Sequence, residues 1–315
     1  MKKYTIRLNE AGQRFDKYLF KLFKEAPVNL LYKQLRCKNI TLNGARAKGS
    51  EILEAGDEAR VFMSDETIAK FMGESAAGRG LGADASFLKV VYEDENIIIA
   101  NKPSGVLSQK AAPDDISMNE YLISYLTANG MREDELLAFT PAFCNRLDYN
   151  TSGLMVGGKS LAGLRGVSEV IRNRSLAKYY LAVVCGCIND SGRIEGWLKK
   201  DGRANTVSVG GGELAGGSRI VTEYEPLSYK DGLTLLRLKL VTGKPHQLRA
   251  HMASIGHPIL GDSKYGDKGL NSQYRVKGQL LHSYEVVFPD MTGTLSYLSG
   301  RSFRAEVPKP FGRFF

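Results

Sequence analysis

One carboxylate in this chain is set where it can do chemistry. Asp148 follows an Arg-Leu pair in the run Cys144-Asn145-Arg146-Leu147-Asp148-Tyr149-Asn150-Thr151-Ser152-Gly153-Leu154. Asn and Ser side chains in such a stretch bond their own backbone, and Gly is free of steric limits. The turn therefore fixes Asp148 at the mouth of a fold. Alone, an Asp in a loop is most simply a cap or a turn former. Two later segments change that weighing. The first is Lys178-Tyr179-Tyr180-Leu181-Ala182-Val183-Val184-Cys185-Gly186. The second is Thr242-Gly243-Lys244-Pro245-His246-Gln247-Leu248-Arg249, continued by Gly256-His257-Pro258-Ile259-Leu260-Gly261-Asp262. Together the three segments hold a carboxylate, a phenol and a guanidinium.

The elements that must position these groups show in the periodicity. Residues 1–63 read as a small basic module. Gln13 to Lys24 carries Phe15, Leu19, Leu22 and Phe23 at helical spacing. A second helix runs through Leu30, Leu31, Leu35 and Cys37, with Lys33, Arg36 and Lys38 between them. Ile40-Thr41-Leu42 is a short strand leading into Asn43-Gly44, a strong hairpin signal, and Ala59 to Phe62 is a further strand. The module holds 13 basic and 7 acidic side chains, a surplus of 6 out of the chain's net +9. Residues 64–86 shift to Gly, Ala, Ser and charge around Gly78-Arg79-Gly80-Leu81-Gly82, the composition of a flexible linker.

A second domain is expected over 87–315. Val90 to Tyr92 and Asn96 to Ala100 are strands, followed by the loop Lys102-Pro103-Ser104-Gly105. Gly153 to Gly157 is a strand, Ser160 to Arg172 a helix, and Lys178 to Cys187 a strand. Gly210 to Gly217 is a hairpin or loop. Leu236, Leu238 and Leu240 alternate with Arg237 and Lys239 in a half-buried strand, after which Thr242 is expected to cap a helix over Gln247 to Ile255. Strands interrupted by single helices, with adjacent hairpins, predict an α+β fold with a mixed, largely antiparallel sheet.

Composition narrows the function classes. With 43 basic against 34 acidic residues in 315, the chain favours a polyanionic partner. No apolar stretch follows Met1-Lys2-Lys3 and none approaches a membrane span, so no membrane and a cytoplasmic location are expected. Four cysteines form no C-x-x-C pair, as befits reduced thiols. The histidines at 246, 251, 257 and 282 lack H-E-x-x-H spacing, so no metal is expected. Gly153-Leu154-Met155-Val156-Gly157-Gly158-Lys159-Ser160 matches the phosphate-loop pattern letter for letter. Its apolar centre, however, puts a strand where that loop must turn, so no nucleotide cofactor is expected.

The three segments around Asp148, Tyr180 and Arg249, in this order, resemble the RluA-type family of pseudouridine synthases. The first module resembles an S4-type RNA-binding domain. The resemblance implies isomerisation of uridine to its C5-glycoside within RNA, with no redox step, group donor, metal or other cofactor. It assigns the covalent nucleophile to Asp148 and base stacking, with help in removing the C5 proton, to Tyr180. An attacking carboxylate must stay ionised in a site dry enough for uracil, and the resemblance makes Arg249 the cation that keeps it so; a phosphate contact is its competing role. Extracting the base leaves a vacancy to fill and a backbone to hold. Arg146 suits either task, with a structural salt bridge as its equal competitor. Asn145 stands where the family usually has His before Arg-Leu-Asp and is a candidate RNA contact. Phe288-Pro289-Asp290-Met291 stands where the family tends to have a His-Pro turn. In the first module Lys33, Arg36, Lys38 and Asn43 are expected to grip phosphates and 2′-hydroxyls. The implied partner and substrate is RNA, by preference 23S ribosomal RNA, and a monomeric chain is expected. A catalytically inactive ribosome assembly factor and a tRNA-directed synthase are the alternatives. A glycosidase would need two positioned carboxylates.

Overall fold

The computed structural model describes residues 1–73, 82–132, 136, 139–201, 206–210, 212–213 and 216–314. The centre of the expected linker and part of the glycine-rich stretch, at 211 and 214–215, lie outside these residues.

Seven elements form around the first core: β1 (Lys2–Thr5), α1 (Phe15–Leu22), α2 (Val28–Arg36), β2 (Ile40–Leu42), β3 (Ala45–Arg46), β4 (Glu58–Val61) and α3 (Asp65–Met72). The strands pair antiparallel in the order β1-β4-β2-β3. Helical spacing puts Phe15, Leu19 and Leu22 of α1, and Leu31 and Leu35 of α2, against Ile40, Val61 and Leu53. Asn43 (φ 50°) and Gly44 (φ 77°) both adopt the left-handed conformation that a two-residue hairpin requires. One boundary is corrected. The stretch read as linker from residue 64 begins with α3, which Ser64 caps by accepting the N–H of Thr67 at 3.3 Å. Ile68 on that helix is 1 % exposed and joins the first core. Ile68, Phe71 and Met72, at i, i+3 and i+4, form the apolar face of this helix, which the Gly, Ala and Ser composition of the following residues concealed.

The remaining elements are β5 (Val90–Glu93), β6 (Ile97–Lys102), α4 (Met118–Ala128), β7 (Ala142–Phe143), β8 (Ser152–Gly158), α5 (Leu161–Arg172), β9 (Ala177–Cys185), β10 (Gly192–Asp201), β11 (Thr206–Gly210), β12 (Ser218–Lys230), β13 (Leu233–Leu240), α6 (Gln247–Ser254), α7 (Lys268–Gln273), β14 (Leu281–Val287) and β15 (Ser302–Arg304). They build an eleven-stranded sheet whose main path is β11-β10-β12-β13-β9-β14-β8-β6-β5, with β15 on β14 and β7 on β8. Among the described residues only the β14–β8 pairing is parallel. The expected mixed, largely antiparallel α+β sheet is thus observed.

The alternation of strand side chains explains why both sheet faces are covered. Ile98, Ala100, Met155, Tyr180, Ala182 and Leu238 share one core with Leu122 of α4 and Leu248 and Met252 of α6. Ile97, Ile99, Leu154 and Val156 point the other way, onto Val167 and Val170 of α5. At Gly153 (φ 111°) a Cβ would stand 2.2 Å from the carbonyl oxygen of Ser283, so only glycine lets β8 and β14 approach there.

This geometry disposes of the phosphate-loop match. The residues in question are β8, buried along its whole length. Lys159 is spent on an ion pair with Glu93, and Ser160 caps α5 by accepting the N–H of Gly163 at 2.9 Å. Thr242 also differs from expectation. The N-cap of α6 is His246, and it makes no side-chain cap. Thr242 instead accepts the N–H of Val221 (2.8 Å) and donates to Oε1 of Gln247 (2.8 Å). Pro245 and the left-handed His246 separate it from the first turn, out of capping range.

Candidate active site

Asp148 projects from the loop between β7 and β8 into a cavity of about 810 Å³, and its side chain keeps 28 % of its exposure. The loop is held by side chains that bond its backbone. The ammonium of Lys102 donates to the carbonyls of Pro103 (2.9 Å), Val106 (2.7 Å) and Tyr149 (3.0 Å). Ser108 bonds both backbone groups of Leu147, donating to its carbonyl at 2.7 Å and accepting its N–H at 2.9 Å. The Asp148 carbonyl accepts from Thr151 N at 3.0 Å. Lys102 is fully buried, and burial pushes its pKa down to about 8 against the opposing pull of the Asp148 charge.

Arg249, on the first turn of α6, reaches Asp148 Oδ2 with Nη1 at 2.8 Å. Its Nε and Nη2 donate to Oδ2 and Oδ1 of Asp262 at 2.7 and 2.8 Å, a bidentate pair. Asp262 is wholly buried, and its Oδ1 also accepts the N–H groups of Lys264 (2.9 Å) and Tyr265 (3.1 Å). Burial alone would raise the Asp262 pKa; the Arg249 donors and charge and these two N–H groups outweigh it and hold the pKa below the usual range. For Arg249 the same carboxylates outweigh the burial that would discharge it, so its pKa is raised. The cation aimed at Asp148 is therefore oriented from behind.

The α6 helix is itself anchored through Gln247, whose Nε2 donates to Val221 O (2.9 Å) and Thr222 Oγ1 (3.2 Å). Across the cavity Tyr180 of β9 is 5 % exposed. Burial pushes its hydroxyl up to about 12, Ser283 bonding opposes this, and the Asp148 charge adds to it. The phenol therefore stays protonated near neutrality. His246 places Nε2 at 4.0 Å from Asp148 Oδ2, while its Nδ1 shares a 2.9 Å hydrogen bond with Tyr265 OH.

The structure thus brings Asp148, Tyr180 and Arg249 to one cavity, and Arg146 lines it too, exposed and without an ion pair among the described residues. Two expected RNA contacts have their polar groups engaged within the fold. Asn145 has both ends of its carboxamide engaged by β8, donating to Leu154 O (3.2 Å) and accepting from Val156 N (2.8 Å). Asn43 is likewise consumed by its hairpin, donating to Asp57 (2.8 Å) and accepting from Glu58 N (2.8 Å). Lys33, Arg36 and Lys38 are exposed. Arg36 lines a depression of about 740 Å³ with Tyr32, Arg46 and Lys48, the last two of which the sequence reading passed over.

Lys102 and Asp262 were also missed as site residues. The signal for Lys102 was a cation closing an apolar strand; Asp262 lay in a quoted segment, with nothing local to pair it with Arg249. The four histidines show no common centre: His251 and His282 are buried, with pKa values pushed down to about 4 by burial, and His257 bonds Cys185 O at 2.8 Å. Among the described residues no group of three or more His, Cys, Asp or Glu is placed to hold a metal.

Comparison with known proteins decides the family. Residues 96–254 match the model of the RNA pseudouridylate synthase family. The chain belongs to this family. It is an isomerase that acts on RNA. The ribosomal large subunit pseudouridine synthase C of Escherichia coli K12 is 30 % identical over 99 % of this chain and 94 % of its own length. The ribosomal large subunit pseudouridine synthase D of Borreliella burgdorferi is 30 % identical over 98 % and 90 %. The fold is also that of the human RNA pseudouridylate synthase domain containing 4, with a TM-score of 0.57, 21 % identity, and coverage of 71 % of this chain and 90 % of that one. In this pseudouridine synthase, no helix among the described residues is long and apolar enough to cross a membrane.

Proposed function

We propose that the chain converts uridines of large-subunit ribosomal RNA to pseudouridine, with Asp148 as the attacking carboxylate. The single observation that carries this is the 2.8 Å bond from Arg249 to a partly exposed Asp148, with Arg249 braced from behind by the buried Asp262. An oxygen so placed is paired with a cation, reachable and fixed in direction, as a nucleophile must be. Bond making and breaking then proceed within one nucleotide: Asp148 forms a covalent bond to it, the N1–C1′ bond breaks, the base turns, C5 takes the place of N1, and the bond to Asp148 breaks to release the carboxylate. The C5 proton leaves, with N1 gaining one, so nothing is oxidised or donated from outside. Tyr180 lies beneath the base. Arg146, exposed at the rim, holds the strand or fills the vacated stack.

The named functions of the Escherichia coli and Borreliella relatives support ribosomal RNA as the substrate class, and a cytoplasmic location is read from that substrate. We read residues 1–73 as an S4-like module that grips structured RNA through Arg36, Arg46 and Lys48. A glycosidase reading is disfavoured, because the second carboxylate near Arg249, Asp262, is sealed from the cavity. The test is Asp148→Asn, with pseudouridine mapped in ribosomal RNA of cells carrying either form. Loss of the modification with RNA affinity within a few-fold of wild type is expected. A variant that modifies RNA at the normal rate would refute the assignment, and a wild type that produces no pseudouridine would favour an inactive assembly factor.

A further inference from the structure

The cations of this domain divide into those with a carboxylate partner and those without. Arg237 and Arg304 both pair with Glu285 at 2.9 and 2.8 Å, Lys159 pairs with Glu93, and Arg249 pairs with two Asp residues. Lys178 is different. It lies at the start of β9, two residues before Tyr180, and strand alternation puts both side chains on the face that lines the same cavity. The two positions are about 7 Å apart along the strand. The Lys178 ammonium sits over the backbone of Gly243, where a Cβ would approach Nζ to 3.8 Å. Among the described residues it makes no hydrogen bond and no ion pair.

A charge that bears on Lys178 is that of another cation, Arg174. Burial lowers the Lys178 pKa, and Arg174 lowers it further. Arg174 occupies the turn after α5 in a left-handed conformation (φ 63°), a position where Gly or Asn is usual. Two costs therefore coincide at this place, a half-buried ammonium with no counter-ion and an L-residue with positive φ. Neither improves the fold, and such local costs persist where a ligand uses them. Lys244 of the Gly243-Lys244 turn borders the same wall of the cavity.

We propose that Lys178, with Arg174 and Lys244, binds the RNA backbone phosphate next to the nucleotide whose base rests on Tyr180. A phosphate diester supplies the missing negative charge and accepts hydrogen bonds from an ammonium as a point charge. One residue pair along a strand then spans the reach from base to backbone, so the site recognises a nucleotide within a chain in preference to a free nucleoside. This rests on the reading of the cavity as an RNA site, and it assigns a task to a cation that the chemistry at Asp148 does not require.

The test uses the full-length protein, a fluorescent ribosomal RNA fragment titrated across a salt series, and thermal melting without RNA. Lys178→Met is expected to weaken RNA binding about tenfold and to reduce the salt slope by roughly 0.7 to 0.9. The same variant is expected to melt higher than wild type, because a methionine removes an uncompensated buried charge. Lys178→Arg is expected to keep the wild-type slope. Unchanged affinity and slope in Lys178→Met would overturn the proposal. So would a fall in melting temperature with a matching loss of binding, since that marks a structural lysine. Because these titrations need no turnover, they stand or fall apart from pseudouridine mapping. A wild type that binds the RNA with the expected slope yet makes no product would sink the catalytic reading alone.

Discussion

Replacing Asp262 by Asn tests the bracing of Arg249, because it changes one atom of a residue that substrate cannot touch. Asp262 is wholly buried and receives four donors: Arg249 Nε on Oδ2, and Arg249 Nη2, Lys264 N and Tyr265 N on Oδ1. An asparagine whose oxygen keeps the Oδ1 position must present its NH₂ to Arg249 Nε, donor against donor. Turning the amide over only moves the conflict to two backbone N–H groups. The Coulomb attraction of such a pair is about 4 kcal/mol at 4 Å and an effective dielectric of 20. Breaking one partner of a buried pair costs about 3–5 kcal/mol. Since one of the two carboxylate positions survives, a loss of about 3 kcal/mol is expected, a fall of roughly 6 °C in melting temperature for a domain of this size. Turnover is expected to fall about 100-fold, because a guanidinium displaced by an ångström no longer directs Asp148.

The pH arm fixes the sign. The folded pKa of Asp262 is depressed, so its stabilisation is present above the unfolded value near 3.9 and disappears as pH falls through the folded value. The gap between wild type and Asp262→Asn should be full at pH 7 and shrink below about pH 4. Melting curves across pH, with pseudouridine formation at pH 7, provide the check. A variant melting within 1 °C of wild type at pH 7, with turnover within twofold, would refute the bracing argument.

Two further predictions concern binding and loop support. Lys102→Met removes the donor shared by three carbonyls at the base of the Asp148 loop, so a loss of about 3 kcal/mol and slower product formation are expected; unaltered melting would show that water replaces the ammonium there. Changing Arg36, Arg46 and Lys48 together to Gln should weaken RNA binding and lower its salt slope by about 2, measured by titration over a range of salt, whereas an unchanged slope would remove that surface from the interface.

How much of this was legible in the sequence depends on whether a residue's task is local. Phe15, Leu19 and Leu22, or the alternation along β13, report a helix or strand from spacing alone. The strand in the phosphate-loop match was legible for the same reason, since Leu154-Met155-Val156 must be buried. Asp148 stood out only through the two later segments around Tyr180 and Arg249, since its own turn reads equally well as a cap. α4 was passed over although Ser117 and Glu120 form a capping box, Glu120 accepting from Ser117 N at 3.0 Å. Long-range tasks left no such trace. Nothing near Asn145 shows that β8, nine to eleven residues on, consumes its amide, and nothing near Asp262 shows that Arg249 lies across from it. β1 escaped because Lys2-Lys3-Tyr4-Thr5 buries little, and its pairing with β4 is what makes it a strand.

The distribution of polar groups separates support from chemistry in this domain. Side chains that hold the Asp148 loop and α6 spend themselves on backbone: Lys102 on three carbonyls, Ser108 on both groups of Leu147, Asn145 on β8, Gln247 on β12. Each removes freedom from a loop that would otherwise sample many conformations, and positioning is worth most where the reacting atom sits on a loop. Groups that remain unspent face the cavity. One oxygen of Asp148 makes no bond among the described residues, the Tyr180 hydroxyl is protonated and held by Ser283, and Arg146 and Lys178 carry charge with no ion-pair partner among the described residues. A substrate that satisfies all four must bring a flat base to stack, an electrophilic carbon for the carboxylate, and phosphates on either side. A uridine within an RNA strand supplies these together, whereas a free nucleoside lacks the phosphates and a sugar chain lacks the base.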